Sequence, residues 1–191
     1  IFSRIVHGAK YTLSMGIFAA IIGSAIGVPV GAISGYYGGN VDNAIMRVVD
    51  IIMTLPMMLT ALVIAASFGG GLVNTMLAVG LSGSPAVARI TRSAIMSVKN
   101  QEFVEAAKSN NASDFRIIFR YLLPNSLSPI IVHFTLATAG AILAASSLSF
   151  LGLGLQPPIP EWGALLSVGK EYMRQSWWIT TIPGAFIMLA V

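Results

Sequence analysis

Seven charged side chains lie within, or one residue before, the polar segment 100–125, and the apolar runs on either side carry almost no charge. They are Lys99, Glu102, Glu105, Lys108, Asp114, Arg116 and Arg120. Side chains of mixed sign can form ion pairs and hydrogen bonds with water or with a protein surface, whereas lipid excludes them. The sequence has no cysteine and no Gly-rich phosphate-binding loop ending in Lys-Ser or Lys-Thr. We therefore expect a docking element, with no catalytic residue, no cofactor and no metal site.

The apolar runs around this segment predict an integral membrane protein. Of the 191 residues, 55% are hydrophobic and 9% are charged, and the mean hydropathy is +0.81. The runs 11–41, 51–88 and 121–160 contain no Asp, Glu, Lys or Arg. Each is longer than the roughly 20 residues that a membrane-spanning helix needs.

The predicted fold class is all-α, a polytopic membrane helical bundle of about five spans with short helices in the polar segment. We place the spans at 11–35, 44–67, 74–96, 126–150 and from Trp177 to the chain end. The first residue is Ile and the last lies inside an apolar run. We therefore expect 1–191 to be a single membrane domain from a longer polypeptide, with the first span and the C-terminal end missing.

The distribution of Lys and Arg predicts the orientation in the membrane, because cytoplasmic loops carry the excess of these residues. Seven would share a face with the polar segment: Arg47, Arg89, Arg92, Lys99, Lys108, Arg116 and Arg120. Four would lie on the other face: Arg4, Lys10, Lys170 and Arg174. The polar segment is therefore predicted to be cytoplasmic, and the net charge of +4 reflects topology rather than nucleic-acid binding.

The first predicted span carries small residues at a spacing of four, which places them on one helical face. They are Ala19, Gly23, Gly27, Gly31 and Gly35. Such a stripe lets another helix backbone come close, so packing is the favoured interpretation and a role in substrate passage is the alternative.

Asp50 is the acid that lies well within a predicted span, and an intramembrane acid raises the hypothesis of proton or ion coupling. Arg47 lies three residues earlier on the same helical face, near the predicted cytoplasmic end. An ion pair between these two side chains is the interpretation that we favour.

Helix-capping residues predict two short helices within the polar segment. Asn100 can cap a helix beginning at Gln101, and Asn110 and Asn111 can end it in the left-handed conformation. Ser113 can then cap a second helix that begins at Asp114. We expect its apolar side to face the spans and the edge of the first helix to stay exposed. The apolar side consists of Phe115, Ile118, Phe119 and Leu122, and the exposed edge of Glu105, Ala106 and Ala107.

Three blocks of sequence resemble a known family. Glu105-Ala106-Ala107, Asn111 and the run 121–124 resemble the EAA loop of permease subunits of binding-protein-dependent ABC importers, although the family usually has Gly at the position of Asn111. The runs 34–50 and 147–163 resemble the dipeptide, oligopeptide and nickel branch, and within it the C-type subunit, the second of two paired permeases.

The resemblance implies the transmembrane domain of a type I ABC importer, a multi-pass protein of a prokaryotic inner membrane. It would be a non-enzymatic permease that forms half of the path for ATP-driven peptide uptake. Its partners would be a second permease with which it forms a heterodimer, two cytoplasmic ATP-binding subunits and an extracytoplasmic solute-binding protein. Segment 100–124 would be the coupling loop, with ATPase-coupling residues Glu105, Ala106, Ala107, Asn111, Ala112, Ser113 and Asp114.

Two questions stay open on the sequence alone. Look-alike importers carry nickel or oligosaccharides, and an ion-coupled secondary transporter is the alternative outside this class.

Segment 156–162 holds three prolines and a Trp that we expect at the membrane interface. It predicts either a lid or docking surface for the binding protein, or a structural cap. The residues that line the substrate path are unknown.

Overall fold

The computed structural model describes residues 2–191, and that part of the chain is helical without a strand. Its α-helices are α1 (Phe2–Tyr37), α2 (Gly39–Met53), α3 (Met57–Phe68), α4 (Leu72–Val98), α5 (Glu102–Ser109), α6 (Asp114–Arg116), α7 (Leu123–Asn125), α8 (Leu127–Phe150), α9 (Trp162–Gly169) and α10 (Trp178–Ala190). A π-helical turn, Ile117–Leu122, joins α6 to α7, and a 3₁₀ turn, Lys170–Tyr172, follows α9. The all-α prediction is confirmed.

Within residues 2–191, two helices are long and apolar enough to cross a membrane, namely α1 and α8, and the bent pair α2 and α3 could form a third span. The sequence predicted five. Helix α4 has 27 residues, but Arg89 and Arg92 interrupt its apolar surface. Helix α10 has 13 residues, fewer than a complete span requires.

The second predicted span, 44–67, is not one helix. Helices α2 and α3 meet at an angle of 82° across a break of three residues that ends at Pro56. Proline has no N–H to donate and disfavours the α conformation in the residue before it, so a helix cannot continue smoothly through this position. A proline inside this apolar run predicts a kink, and the structure shows a complete break between two helices.

The chain divides into two compact units, and the first comprises residues 2–22, 56–83 and 136–191. Its main core consists of small and medium apolar side chains from α1, α3, α4, α8 and the loop after α8. These are Met15, Ala19, Ala61, Ala65, Ala78, Val79, Ala141, Ala145, Leu148 and Leu155. Alanine at so many core positions lets helices pack with their axes close together.

Glu161 is fully buried in the first unit and is held by neutral donors. Its Oε1 accepts hydrogen bonds from Thr12 Oγ1 (3.1 Å) and Ser146 Oγ (3.2 Å), and its Oε2 accepts from the Ala164 N–H (2.9 Å). The last of these bonds caps the N-terminus of α9, where a negative charge is favoured. Glu161 is therefore a structural anchor for α9.

The prediction that Trp162 is interfacial is wrong. Its side chain is 4% exposed, and its indole N–H donates to the Ile5 carbonyl at 2.9 Å. The ring also packs against Phe186, with ring centroids 5.9 Å apart. The exposed part of this segment is 156–158, and its role as a lid or docking surface stays a prediction.

The second unit comprises residues 23–55 and 84–135 and contains the seven Lys and Arg residues assigned to the polar face. Its core joins α1, α4, α5 and the π-helical turn through Ala32, Ile95, Val104, Ala107, Ile117, Ile118 and Leu122. The polar segment is thus packed onto the ends of long helices through its own apolar side chains.

Within this unit, α1 and α4 approach each other at the glycine stripe. A Cβ added to Gly27 would lie 2.6 Å from the Ser84 carbonyl oxygen, and one on Gly35 would lie 2.8 Å from that of Arg92. A Cβ on Gly31 would collide with the carbonyl oxygen of Ala88. Gly23, the fourth glycine of the stripe, is also buried. A larger residue at these positions would push the two backbones apart.

Candidate functional site

Helix α5 begins one residue later than its sequence suggests. Gln101, rather than Asn100, occupies the N-cap position, and its side chain makes no capping hydrogen bond. Glu102 and Glu105 lie in the first turn, where the positive end of the helix dipole stabilises their negative charges. Val104 and Ala107 are buried on the inner side of this helix.

The exposed edge of α5 is narrower than predicted. Glu105 and Ala106 are exposed, as expected, whereas Ala107 is 6% exposed and belongs to the core of the unit. The reason is helical geometry: Ala107 lies three residues after the buried Val104 and therefore shares its face. Ala107 supports the corner from inside and cannot present its methyl group to a partner.

The end of α5 was predicted correctly from local sequence. Asn111 has φ +56°, the left-handed conformation, and its N–H donates to the Lys108 carbonyl at 2.9 Å. The Ala112 N–H donates to the Ala107 carbonyl at 3.1 Å. This pair of bonds is the Schellman motif, which satisfies the last carbonyls of a helix and turns the chain sharply. We call residues 102–114 the corner.

Ser113 caps the helix that leaves the corner, as predicted. Its hydroxyl oxygen accepts a hydrogen bond from the Arg116 N–H at 3.4 Å, and α6 begins at Asp114. One capping bond of this kind stabilises a helix start by about 1 kcal/mol. The cap fixes where the backbone re-enters a helix and therefore where the Asp114 carboxylate points.

Asp114 is bound by the end of α1. Tyr36 Oη donates to Asp114 Oδ1 at 2.7 Å, and Tyr37 Oη donates to Asp114 Oδ2 at 3.1 Å. The Lys108 ammonium lies 5.9 Å from the centroid of the Tyr36 ring. Sequence reasoning missed this contact, although two tyrosines at the polar end of an apolar helix were a usable signal for hydrogen bonding there.

The predicted apolar side of the second helix is partly wrong. Ile118 and Leu122 are buried, but Phe115 is 71% exposed and Phe119 is 39% exposed. The two rings contact each other, with centroids 4.5 Å apart. Ile117, the first residue of the π-helical turn, is buried in their place.

Close to the corner, a network of polar contacts holds the end of α1. Lys99 Nζ donates to the Gly35 carbonyl at 3.1 Å. Ser34 Oγ donates to Asp42 Oδ1 at 2.5 Å, and Arg92 donates to both oxygens of Asp42 at 2.5 Å each. Asp42 is 7% exposed. Helices α1, α2 and α4 are therefore tied together by one carboxylate.

The predicted ion pair between Arg47 and Asp50 is wrong. Asp50 pairs with Arg89 of α4, with Arg89 Nη2 2.6 Å from Asp50 Oδ1. Both side chains are half exposed or more, at 50% for Arg89 and 59% for Asp50. Asp50 thus binds an arginine on a neighbouring helix rather than the one on its own helix. The spacing of residues within one helix cannot reveal such a contact.

The corner and the turn that follows it expose side chains that could bind a partner. Within residues 2–191, no three His, Asp or Glu side chains lie close enough together to hold a metal ion. The corner exposes a carboxylate and a small side chain, and two exposed aromatic rings follow it. These residues are Glu105, Ala106, Phe115 and Phe119.

Residues 27–191 match the family model described as "Binding-protein-dependent transport system inner membrane component". The Di/tripeptide transport system permease protein DppC of Pseudomonas aeruginosa (strain UCBPP-PA14) is 40% identical over 99% of this chain and 62% of the relative. The Dipeptide transport system permease protein DppC of Alkalihalophilus pseudofirmus is 43% identical over 100% and 63%. The Glutathione transport system permease protein GsiD of Escherichia coli O157:H7 is 42% identical over 100% and 63%. The chain thus spans less than two thirds of the length of these curated relatives.

Solved structures show the same fold. A chain of the MetNI methionine ABC transporter, crystallised in an inward facing conformation, aligns with a TM-score of 0.77 over 98% of this chain and 91% of that chain, at 17% identity. A chain of an amino acid ABC transporter crystallised with histidines aligns with a TM-score of 0.72 over 98% and 87%, at 16% identity. These identities establish the fold alone, and the predicted transmembrane fold of ABC importers is confirmed.

Proposed function

Because the chain belongs to the family of binding-protein-dependent transport system inner membrane components, we propose that it is a permease subunit for ATP-driven uptake of peptides. In this proposal the chain is one transmembrane domain that forms half of the translocation path. It performs no covalent chemistry. The corner docks on a separate ATPase subunit and passes its movement to the attached helices.

The observation that carries the docking role is the two-sided construction of the corner. Val104 and Ala107 are buried beneath it, while Glu105 and Ala106 face outward from the same helix. The inner side makes the corner move with the helices that it packs on, and the outer side is accessible to a partner. Ala106 would allow close approach of the partner surface, and Glu105 would supply a charge for a basic residue on it.

Phe115 and Phe119 extend the proposed docking surface. Apolar side chains that are exposed next to each other can mark a binding site, and aromatic residues are enriched where proteins bind each other. Their exposed fractions, 71% and 39%, leave a large area to be covered. Within the proposed coupling set, Asn111, Ala112 and Ser113 shape the turn, Ala107 supports it, and Glu105 with Ala106 would touch the ATPase.

Peptides are the substrate class that the comparisons favour. The relatives named above are described as permeases for di- and tripeptides, dipeptides and glutathione, and glutathione is itself a small peptide. Identities of 40–43% over essentially the whole of this chain support the same substrate class here. Nickel, oligosaccharides and ion-coupled transport have no comparable support.

The proposal includes partners and a location. The chain would lie in the inner membrane of a prokaryote, paired with a second, non-identical permease and served by two cytoplasmic ATP-binding subunits. An extracytoplasmic solute-binding protein would deliver the peptide. The family description, with its terms "binding-protein-dependent" and "inner membrane component", supports the solute-binding protein and the location.

The docking role is tested by reversing one exposed charge. In the assembled transporter, we expect Glu105→Lys to weaken ATPase association by about tenfold or more, because like charges would then meet at the interface. Peptide uptake into proteoliposomes should fall in parallel. Copurification of the ATPase subunits and uptake of labelled dipeptide are the two measurements.

Glu171→Lys is the matched control, because it reverses an exposed acid in the other unit. It should leave ATPase association unchanged. If Glu105→Lys retains wild-type copurification and uptake, the corner is not the docking element and the proposal fails.

A further inference from the structure

We infer that Tyr36, Tyr37 and Asp114 form a clasp through which movement of the corner reaches α1. The inference rests on the proposed function and assigns these three side chains a role that differs from docking. Asp114 would then be a positioning residue, bound by its own chain, rather than a contact with the ATPase. We refer to the three residues as the tyrosine clasp.

The geometry of the tyrosine clasp engages both oxygens of one carboxylate. Tyr36 and Tyr37 are adjacent in sequence, yet their hydroxyls meet Oδ1 and Oδ2 of Asp114 at 2.7 and 3.1 Å. The two rings are held edge to face, with centroids 5.1 Å apart and planes at 74°. This arrangement lets consecutive side chains converge on one acid. Hydrogen bonds to an ionised acceptor are stronger and shorter than those between neutral groups.

Asp114 sits where the corner changes direction. It follows the Schellman turn at Asn111 and the capping Ser113, and it is the first residue of α6. Along the chain, Asp114 lies between α5 and the π-helical turn. Binding Asp114 to α1 therefore gives the corner a second attachment in addition to the apolar contacts beneath α5.

The receiving end of α1 is itself fixed to other helices. Gly35, next to Tyr36, accepts from Lys99 at the end of α4. Ser34, one residue earlier, donates to Asp42 of α2, which is paired with Arg92 of α4. A displacement of Asp114 would thus be delivered to a point where three helices are tied together. The clasp would couple the corner to this group of helices and not to α1 alone.

The test removes the two hydroxyls and keeps the rings. The assembled transporter carrying Tyr36→Phe and Tyr37→Phe is reconstituted in proteoliposomes, and both ATP hydrolysis and dipeptide uptake are measured. We expect copurification of the ATPase subunits to equal that of the wild type, and the number of peptides taken up per ATP hydrolysed to fall about tenfold, the ratio that corresponds to about 1.4 kcal/mol.

Two further variants separate the clasp from a folding defect and from direct docking. Tyr37→Phe alone removes one bond at the more exposed ring, so it should fold normally and reduce uptake per ATP by a smaller factor. Asp114→Asn, added to the double Tyr→Phe variant, should cause no further loss, because all three changes break the same contact. Tyr172→Phe is the control: this exposed tyrosine makes no hydroxyl hydrogen bond in the part of the chain that the structure describes.

Three results would overturn the inference. The clasp fails if the double Tyr→Phe variant transports as many peptides per ATP as the wild type. It also fails if Asp114→Asn alone releases the ATPase, since Asp114 would then contact that subunit directly. Additive losses in the combined variant would show that the residues act separately. Failure of the docking proposal is a different result, seen as normal ATPase binding by Glu105→Lys.

Discussion

Two acids on α2 have the same charge and very different surroundings. Asp42 is 7% exposed and receives two hydrogen bonds from Arg92 and one from Ser34. Asp50 is 59% exposed at its side chain and has one contact with Arg89. A half-exposed ion pair contributes little to stability, whereas breaking a buried one leaves a charge without a partner. The two pairs should therefore respond differently to the loss of their arginine.

We predict that Arg92→Ala lowers the free energy of unfolding by roughly 2–4 kcal/mol, somewhat less than for a completely buried pair because the Arg92 side chain is 29% exposed. Arg89→Ala is the matched control on the same helix and should cost about 0–1 kcal/mol. Denaturant or thermal unfolding in detergent, followed by helical circular dichroism, measures both. Equal losses for the two variants would contradict the ranking.

At the residue scale, the sequence predicted what neighbouring residues decide. The left-handed Asn111 and the capping Ser113 follow from side chains that bond to backbone a few residues away. Ala107, Phe115 and the partner of Asp50 were predicted wrongly, because burial and ion pairing depend on elements distant in sequence. The tyrosine clasp belongs to the same class, since about 77 residues separate its members.

At the scale of the helices, the main packing feature is the close approach of α1 to α4 along the glycine stripe. The stripe was visible in the sequence, but the identity of the helix that faces it was not. Ser84, Ala88 and Arg92 supply the carbonyl oxygens nearest to Gly27, Gly31 and Gly35, and these residues repeat at a spacing of four on α4. The glycines of α1 and these three residues of α4 therefore share a spacing of four, and the two rows are in contact over several helical turns.

Gly31→Ala tests this contact with the addition of one methyl group. We expect it to lower the free energy of unfolding by about 1–3 kcal/mol, because its Cβ would collide with the Ala88 carbonyl oxygen. Gly140→Ala in α8 is the control, since nothing lies within 4 Å of the added Cβ. It should be neutral or stabilising by up to about 1 kcal/mol through helix propensity. A neutral Gly31→Ala would show that the backbones are not in close contact.

The break between α2 and α3 shows the limit of hydropathy as a guide to elements. Apolar composition continues through Pro56, so hydropathy alone predicts one span over 44–67. Three prolines lie inside continuous helices: Pro29 in α1, Pro85 in α4 and Pro183 in α10. Pro56, in contrast, lies at a break between two helices. Whether neighbouring groups satisfy the freed backbone decides between the two outcomes, and composition does not record it.

For the whole molecule, charge separates with the two compact units. The seven Lys and Arg residues predicted to share the cytoplasmic face all belong to the second unit, and the other four belong to the first. The grouping predicted from the sequence therefore recurs in the division of the chain into units. The orientation itself stays a prediction.

Cysteine labelling measures this orientation, because the chain contains no cysteine of its own. In intact cells, a membrane-impermeant maleimide should label Arg174→Cys and leave Lys108→Cys unlabelled. Both positions are exposed, so access to the reagent is limited by the membrane. After permeabilisation, both should react. Labelling of the cysteine at position 108 in intact cells would place the corner outside and end the importer interpretation.

Close contact between α1 and α4 also bears on leakage. Where the glycines of one helix lie against the carbonyl oxygens of another, the gap is smaller than a water molecule, and no file of hydrogen-bonded waters can form along it. Protons and small ions cannot follow that seam. Under the proposed function, a transported solute would therefore travel along a different side of these helices.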